Sequence, residues 1–502
     1  MRHRGTSFFL LLLALCLVTA GCVEVVPGNA SRTPRSYLDV VPGMPASGGP
    51  NGLKEGVPIP SRQVKGTKSD ESPEAKKTDQ LAIAALDDIE AFWREKLPKY
   101  FKQAASFKPV GTLYSYDARD PEAIACGRDA YREPNAMYCP REDAIAWDRG
   151  VLMPLLDNEF PPIAIVVVFA HEYGHRIQHL ANLIKDSDPS IVFEQQADCF
   201  AGFFIRYVVD GRAKHFRLNS SNGLNTILAS MLALRDDPKM ATESDYKDQE
   251  HGSGFDRVSA FRMGFADGAD ACSKIDEKEI DKRRNGLPIV PDPQIGQDNI
   301  PINRSILETK AIPSIQQFFQ EMLPTMPKVT YDGVDKNCPN QKVASDPQKA
   351  PPALYCEATN TVSLDVPALA KIGVPTEEGG VPLKITGDTA ALAIIASRFG
   401  LAYLKHQGQP TTGLGAGLAG ACLSGAWLRS IVGRYGVDAA HKPIILTPGD
   451  LDKPTSELLQ HGYIAQDLNG QAAPSALTRW NAFRVGVLGP SKVCAQQYPP
   501  LP

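Results

Sequence analysis

Positive charge is not in excess in this chain of 502 residues: 53 lysines and arginines stand against 57 aspartates and glutamates, for a formal net charge of −4. Phosphate backbones are bound by concentrated basic faces, so nucleic acid is excluded as a partner. A long apolar run is missing too, because Phe8 to Val18 falls short of the roughly 20 residues that a transmembrane helix needs. Histidine is scarce, at 9 residues, so a regular pattern built on it carries weight.

What stands at the N-terminus is a short apolar run preceded by Arg2, His3 and Arg4 and followed by Thr19-Ala20-Gly21-Cys22. That layout predicts a secretory signal peptide over residues 1–22. Ala20-Gly21-Cys22 resembles the end of a bacterial lipobox, which implies lipidation of Cys22 and an extracytoplasmic protein anchored to the outer face of the cell membrane. Thr19 replaces the usual leucine-like residue, and plain secretion is the alternative.

A length of 502 residues with 43% hydrophobic content predicts two or three domains, each with its own core. Residues 23–78, rich in Pro, Gly, Ser and charge, read as a disordered tether. Residues 276–308 read as a linker, with a solvated helix as the alternative for its charged part, Asp276 to Arg284. The segments on either side, 79–275 and 309–502, are related by internal duplication. Ile89-Glu90-Ala91-Phe92-Trp93 matches Ile315-Gln316-Gln317-Phe318-Phe319, and Ala136-Met137-Tyr138-Cys139 matches Ala353-Leu354-Tyr355-Cys356. Asp148 matches Asp365, and Arg257, Ala260-Phe261-Arg262, Gly264 and Cys272 recur without a gap as Arg479, Ala482-Phe483-Arg484, Gly486 and Cys494.

The duplication also orders the cysteines. Of ten, Cys16 leaves with the signal and Cys22 carries lipid, so eight remain, four per copy. An exported protein with an even number favours disulfides. Keeping bridges within a copy predicts Cys126 with Cys139, Cys199 with Cys272, Cys338 with Cys356, and Cys422 with Cys494.

Pro162 to Leu183 predicts a buried helix, and its counterpart after Asp388-Thr389 is alanine-rich, which favours helix over strand. On it lies His171-Glu172-Tyr173-Gly174-His175. A spacing of four residues puts both imidazoles on one helix face, where they can share a metal, with Glu172 placed to take a proton from a metal-bound water. Glu194, on a second helical pattern running to Tyr207, is the candidate third ligand. Asp198, one turn on, can accept a hydrogen bond from a ligand imidazole and orient it; an ordinary surface acid is the alternative. His251 is a candidate donor to an oxyanion, or equally a surface histidine in a turn. Arg257 reads as structural because Arg479 repeats it. In the second copy His171, Glu172 and His175 become Ser397, Arg398 and Leu401, Glu194 becomes Gly417 and Asp198 becomes Ala421, whereas Gly174 and Gly202 keep partners in Gly400 and Gly425. Residues common to both copies are those a fold requires; residues confined to the first are those a metal site requires.

From about Leu81 to Cys272 the chain resembles the bacterial neutral zinc metallopeptidases of the zincin class. The resemblance rests on Tyr138-Cys139-Pro140, the His-Glu-x-x-His helix, Gln196-Ala197-Asp198-Cys199-Phe200-Ala201-Gly202, and His251-Gly252-Ser253 with Arg257. It implies one zinc ion, in the first domain only, held by His171, His175 and Glu194, with Glu172 as base and a peptide or protein as substrate. The expected fold is α+β and zincin-like, mainly helical with a small sheet, in two tandem copies. The second copy reads as a degenerate, non-catalytic partner that binds substrate, covers the cleft or holds another protein. The alternative function is a binding or scaffolding lipoprotein with a merely structural metal; amide hydrolysis in the cell wall is a third.

Overall fold

The computed structural model describes residues 39–41, 44–45, 49–66, 72–104, 106–160, 162–235, 251–288, 299–335, 337–339, 341, 351–375, 385–432 and 444–498. The signal peptide and Cys22 lie outside the described residues. The first long helix, α1 (Pro73–Tyr100), starts where the Ser72 hydroxyl accepts the Ala75 N–H at 3.1 Å and a proline occupies the first helical position. A four-stranded sheet follows, in the order β1 (Lys65–Gly66), β2 (Thr112–Tyr116), β4 (Ala144–Asp148), β3 (Ala136–Cys139). β1, β2 and β4 run parallel, and β3 pairs antiparallel with β4 at the sheet edge.

Two helices then cross. α2 (Ile163–Ala181) is buried on every side from Ile163 to Gly174, so packing overrides the strand preference of its β-branched run, and it ends at Asn182 in the left-handed conformation. α3 (Ser190–Val209) packs across it, and α4 (Asn222–Ala233) and α5 (Gly254–Asp267) complete the first half. The same order recurs further on. β5 (Lys328–Thr330), β7 (Thr361–Leu364) and β6 (Ala353–Cys356) form a three-stranded sheet with the parallel and antiparallel pairings of β2, β4 and β3. After them come α7 (Asp388–His406), α8 (Leu414–Ser430), α9 (Asp452–Gln460) and α10 (Ala476–Leu488).

The glycines shared by the two halves sit at helix crossings. A Cβ on Gly202 would lie 2.0 Å from the Phe261 carbonyl oxygen, and one on Gly264 would lie 1.7 Å from that of Cys199; the corresponding distances at Gly425 and Gly486 are 2.2 and 1.7 Å. Beside these crossings are the bridges Cys199–Cys272 and Cys422–Cys494, and each sheet carries its own, Cys126–Cys139 and Cys338–Cys356, with Cα separations of 5.4 to 5.6 Å. Bridges of this kind contribute about 2–4 kcal/mol each.

Two stretches expected to be joints are ordered in part. Within 23–78, residues 49–66 lie along the first half: Lys54 Nζ donates to the Ala213 carbonyl at 2.6 Å, and Arg62 pairs with the buried Glu90 at 3.2 Å. These polar contacts add to the packing of Leu53, Ile59 and Val64 against the core. The charged end of 276–308 is a helix, α6 (Glu277–Arg284), and it is docked rather than solvated. Arg284 is buried against Asp256 at 2.7 Å, and Arg283 donates to Gln195 Oε1 at 2.9 Å. Thr33–Pro502 form one compact unit whose apolar core runs through both halves.

Candidate metal centre

Gly174 lets α2 and α3 approach: a Cβ there would stand 2.9 Å from the Ala197 backbone. The crossing sets His171 and His175, one turn apart on α2, against Glu194 in the first turns of α3. His171 Nε2 lies 3.0 Å from Glu194 Oε2, His175 Nε2 lies 3.4 Å from Glu194 Oε1, and the two Nε2 atoms are 3.2 Å apart. A tetrahedral ion with ligand bonds of roughly 2.0–2.1 Å separates its ligands by about 3.3 Å. With the two Glu194 oxygens each facing one imidazole, and one ligand atom from each residue within 4.8 Å of the others, the group is small enough to close on one ion.

Hydrogen bonding fixes which lone pairs face inward. His171 Nδ1 lies 2.8 Å from Asp198 Oδ1, and an ionised carboxylate only accepts, so Nδ1 carries a proton and Nε2 is the nitrogen left to face a metal. Gln178 donates its amide N–H groups to the Phe193 carbonyl and to Gln196 Oε1, leaving its oxygen to accept from His175 Nδ1 at 3.0 Å. Two ring nitrogens and a carboxylate thus converge, with the buried Glu194 Oε2 facing His171 Nε2 at 3.0 Å. Acceptors crowded this closely repel one another unless a cation lies among them. The titration behaviour shows the same demand met by a proton when no metal is bound: burial disfavours charge on His171, but Asp198 and Glu194 outweigh it and push the imidazole up to about 10, so that its Nε2 then carries a proton toward Glu194, while His175 and His171 overcome the effect of burial on Glu194 and hold it at about 2. The group recruits positive charge, and its nitrogen and carboxylate donors suit a divalent first-row metal ion.

Asp198 is fully buried, which alone would raise its pKa; Arg257 and His171 more than reverse this and hold it well below the usual carboxylate range. Arg257 grips it with two bonds, Nε to Oδ2 at 2.9 Å and Nη2 to Oδ1 at 2.8 Å, and donates a third to the Leu234 carbonyl at 2.6 Å. Glu172 is buried beside the ligands and accepts the Tyr138 N–H of edge strand β3 at 2.9 Å. Burial is the main cause that raises its pKa, a shift that suits a proton acceptor. His251 Nε2 lies 3.9 Å from Glu194 Oε2 with its side chain one-third exposed. A cleft of about 320 Å³ opens onto the group, lined by Tyr138, Pro140, His179 and Phe193 as well as His175 and Glu194.

All six residues singled out in the sequence, His171, Glu172, His175, Glu194, Asp198 and His251, are thereby brought together. Asp198 is no surface acid. Arg257 and Arg479 share a position in the two halves but do different work: Arg479 donates to the carbonyls of Leu458, Ala473 and Pro474 and, among the described residues, meets no carboxylate in hydrogen-bond range. The loss of Asp198 at Ala421 was the signal that the arginine had changed role. His179 was overlooked, although it follows His175 by four residues and so shares its helix face; its ring lies 5.7 Å from that of Tyr138. Arg176, the residue after His175, ties α2 to the turn between β3 and β4 through Asp143 at 2.6 and 2.8 Å.

Comparison with known proteins yields sequence relatives alone. Uncharacterized proteins of Mycobacterium bovis and of two Mycobacterium tuberculosis strains are 25% identical to this chain over 205 residues, a match spanning 37% of it and 66% of each relative. No family model matches the chain. No solved structure matches it either.

Proposed function

We propose that this protein is an exported zinc-dependent metallopeptidase of zincin type, anchored through Cys22, whose second half is a tandem copy that has lost its ligands. The observation that carries this reading is the closed triangle of His171, His175 and Glu194 with the buried carboxylate of Glu172 beside it and an open cleft in front. Zinc bound there would polarise the scissile carbonyl and lower the pKa of a water. The protein's own groups do the rest. Glu172, oriented by the Tyr138 N–H, takes the proton from the water and later delivers it to the leaving amine. Asp198 and Arg257 keep the His171 lone pair pointed at the metal. His251, at the mouth of the group, can donate to the oxygen that gains negative charge.

The test is Glu172→Gln, which keeps the shape and the Tyr138 contact but removes the base. It should retain one zinc per chain and lose cleavage of an unfolded protein substrate by about 10²- to 10⁴-fold. Cleavage at the wild-type rate would end the proposal. The proximity of His251 to Glu194 favours a second reading, in which this imidazole supplies a fourth ligand and the ion is structural, in a binding or scaffolding lipoprotein. Closed four-ligand sites leave no position for water, so His251→Ala separates the two readings by its metal content.

A further inference from the structure

The two halves meet through α4, α5, α9 and α10, and at this seam each supplies a polar side chain to the other. A helix N-terminus has four backbone N–H groups without intrahelical partners. In α5 the Ser253 hydroxyl takes the N–H of Asp256 at 3.1 Å. The N–H groups of Phe255 and Gly254 are taken by Asp452, the first residue of α9 in the second half, with Oδ1 2.9 Å from the Phe255 nitrogen. Its other oxygen, Oδ2, accepts from Arg235 Nε at 2.9 Å. Asp452 is wholly buried, and Gly254 is seated so tightly that a Cβ would come 1.9 Å from Leu232 Cδ1 and 3.2 Å from the Asp452 carboxyl carbon. In the other direction Asn225 of α4 accepts the Ala476 N–H at the start of α10, at 2.8 Å, and donates to the Pro474 carbonyl.

The seam is reciprocal in form and unequal in consequence. One turn into α5 lies Arg257, which grips Asp198, which in turn orients His171. The third bond of Arg257 goes to the carbonyl of Leu234, the neighbour of Arg235. Asp452 therefore holds the backbone at the start of α5 and the side chain of Arg235, next to the carbonyl that receives the third bond of Arg257. One turn into α10 lies Arg479, which reaches backbone carbonyls alone.

We propose that Asp452 is a positioning residue for the metal centre, so that the half without ligands completes the metal-binding half. This rests on the zinc reading given above. Removing the carboxylate frees the start of α5 and leaves the largely covered Arg235 without its anion, and the resulting play in Arg257 is passed to Asp198 and His171. Since direct hydrogen-bond partners of ligands change metal affinity by about 10- to 100-fold, a support two contacts further out should change it by about 3- to 10-fold.

The experiment measures zinc affinity of the full chain by competition with a chelator, alongside thermal unfolding, for wild type, Asp452→Ala, Asp452→Asn and Asn225→Ala. Asn225→Ala removes the matching cap from the same seam and serves as the control for seam loosening: its Tm should fall while its zinc affinity stays within twofold of wild type. Asp452→Ala should lower both, with Asp452→Asn, which keeps an oxygen at α5 but no charge facing Arg235, in between. Wild-type affinity in Asp452→Ala, with a Tm lowered like that of the control, overturns the proposal. Should that variant not fold, Asp452→Asn decides: a loss of at least about twofold supports positioning, and wild-type affinity refutes it. A wild-type chain that takes up no zinc would instead sink the metal reading itself.

Discussion

Asp198→Asn is the most discriminating single substitution at the centre, because it keeps volume while changing hydrogen-bond sense. The carboxylate accepts three N–H groups, from His171 Nδ1, Arg257 Nε and Arg257 Nη2, at 2.8 to 2.9 Å. An amide offers one accepting oxygen and a donating NH2. If the NH2 turns to His171, the imidazole must move its proton to Nε2, into the position a metal would occupy. If it turns to Arg257, a buried guanidinium faces donors. Either orientation weakens zinc by about 10- to 100-fold, or roughly 1.4–2.7 kcal/mol. The metal-free chain should also lose about 3 kcal/mol, since the residue is wholly buried and Arg257 would keep its charge without its anion. Chelator competition at fixed pH measures the first quantity, and urea unfolding of metal-free protein measures the second. A zinc affinity within about twofold of wild type, accompanied by the stability loss, would show that Asp198 merely neutralises Arg257, and the orientation argument would fail.

His251→Ala is expected to keep zinc and lower kcat/KM by about 10²-fold or more, the scale for one oxyanion donor; loss of the metal instead would favour the closed structural site. Gly264→Ala puts a Cβ 1.7 Å from the Cys199 carbonyl oxygen and should cost about 3 kcal/mol or more, as should Gly486→Ala against Cys422; a wild-type Tm in either variant would refute the crossing geometry. Glu457, in the second half, is pushed up to about 7, chiefly by burial. Between an unfolded value near 4.5 and that folded value the native state holds a proton the unfolded chain has released, so this contribution is full at acid pH and falls by about 3 kcal/mol as pH rises through 7. Denaturant unfolding of wild type and Glu457→Gln at pH 5 and pH 8 checks the sign, and a pH-independent difference between them would contradict it.

The ligand set was legible because it is local: four-residue spacing on one helix, and one carboxylate in the next. The cysteine partners were legible because the duplication puts them in register, and disulfides need Cα atoms within a narrow range of distance. Contacts across the seam were not legible. Nothing in the neighbourhood of Asp452 in sequence says that it caps α5, 197 residues away, and the register that pairs Arg257 with Arg479 hides the difference in what each one holds. Composition misread the segments at 49–66 and 277–284 for a related reason. It averages apolar content over a stretch, whereas a few side chains such as Leu53, Ile59, Val64 and Ile280 reach the core and ion pairs and hydrogen bonds, such as Lys54 to the Ala213 carbonyl, hold the rest.

The second half shows what happens to such a centre when its charge is supplied covalently. At the position of Glu172 stands Arg398, fully buried, its guanidinium donating to the carbonyls of Gln466 at 2.9 Å and Tyr463 at 2.7 Å. In the first half three acceptors converge on a place for a cation; in the second a fixed cation reaches out to backbone acceptors. A divalent ion would meet a positive charge there and no ligand. Restoring the two histidines and Glu172 would not undo the change, because packing has closed behind it. At Gly417, the counterpart of Glu194, a Cβ would lie 2.1 Å from the Ala465 carbonyl oxygen, so a glutamate fits only if the 463–467 turn moves and takes the partners of Arg398 with it. The arginine, the glycine and the turn hold one another in place, so no single substitution would give this half a metal group like that of the first.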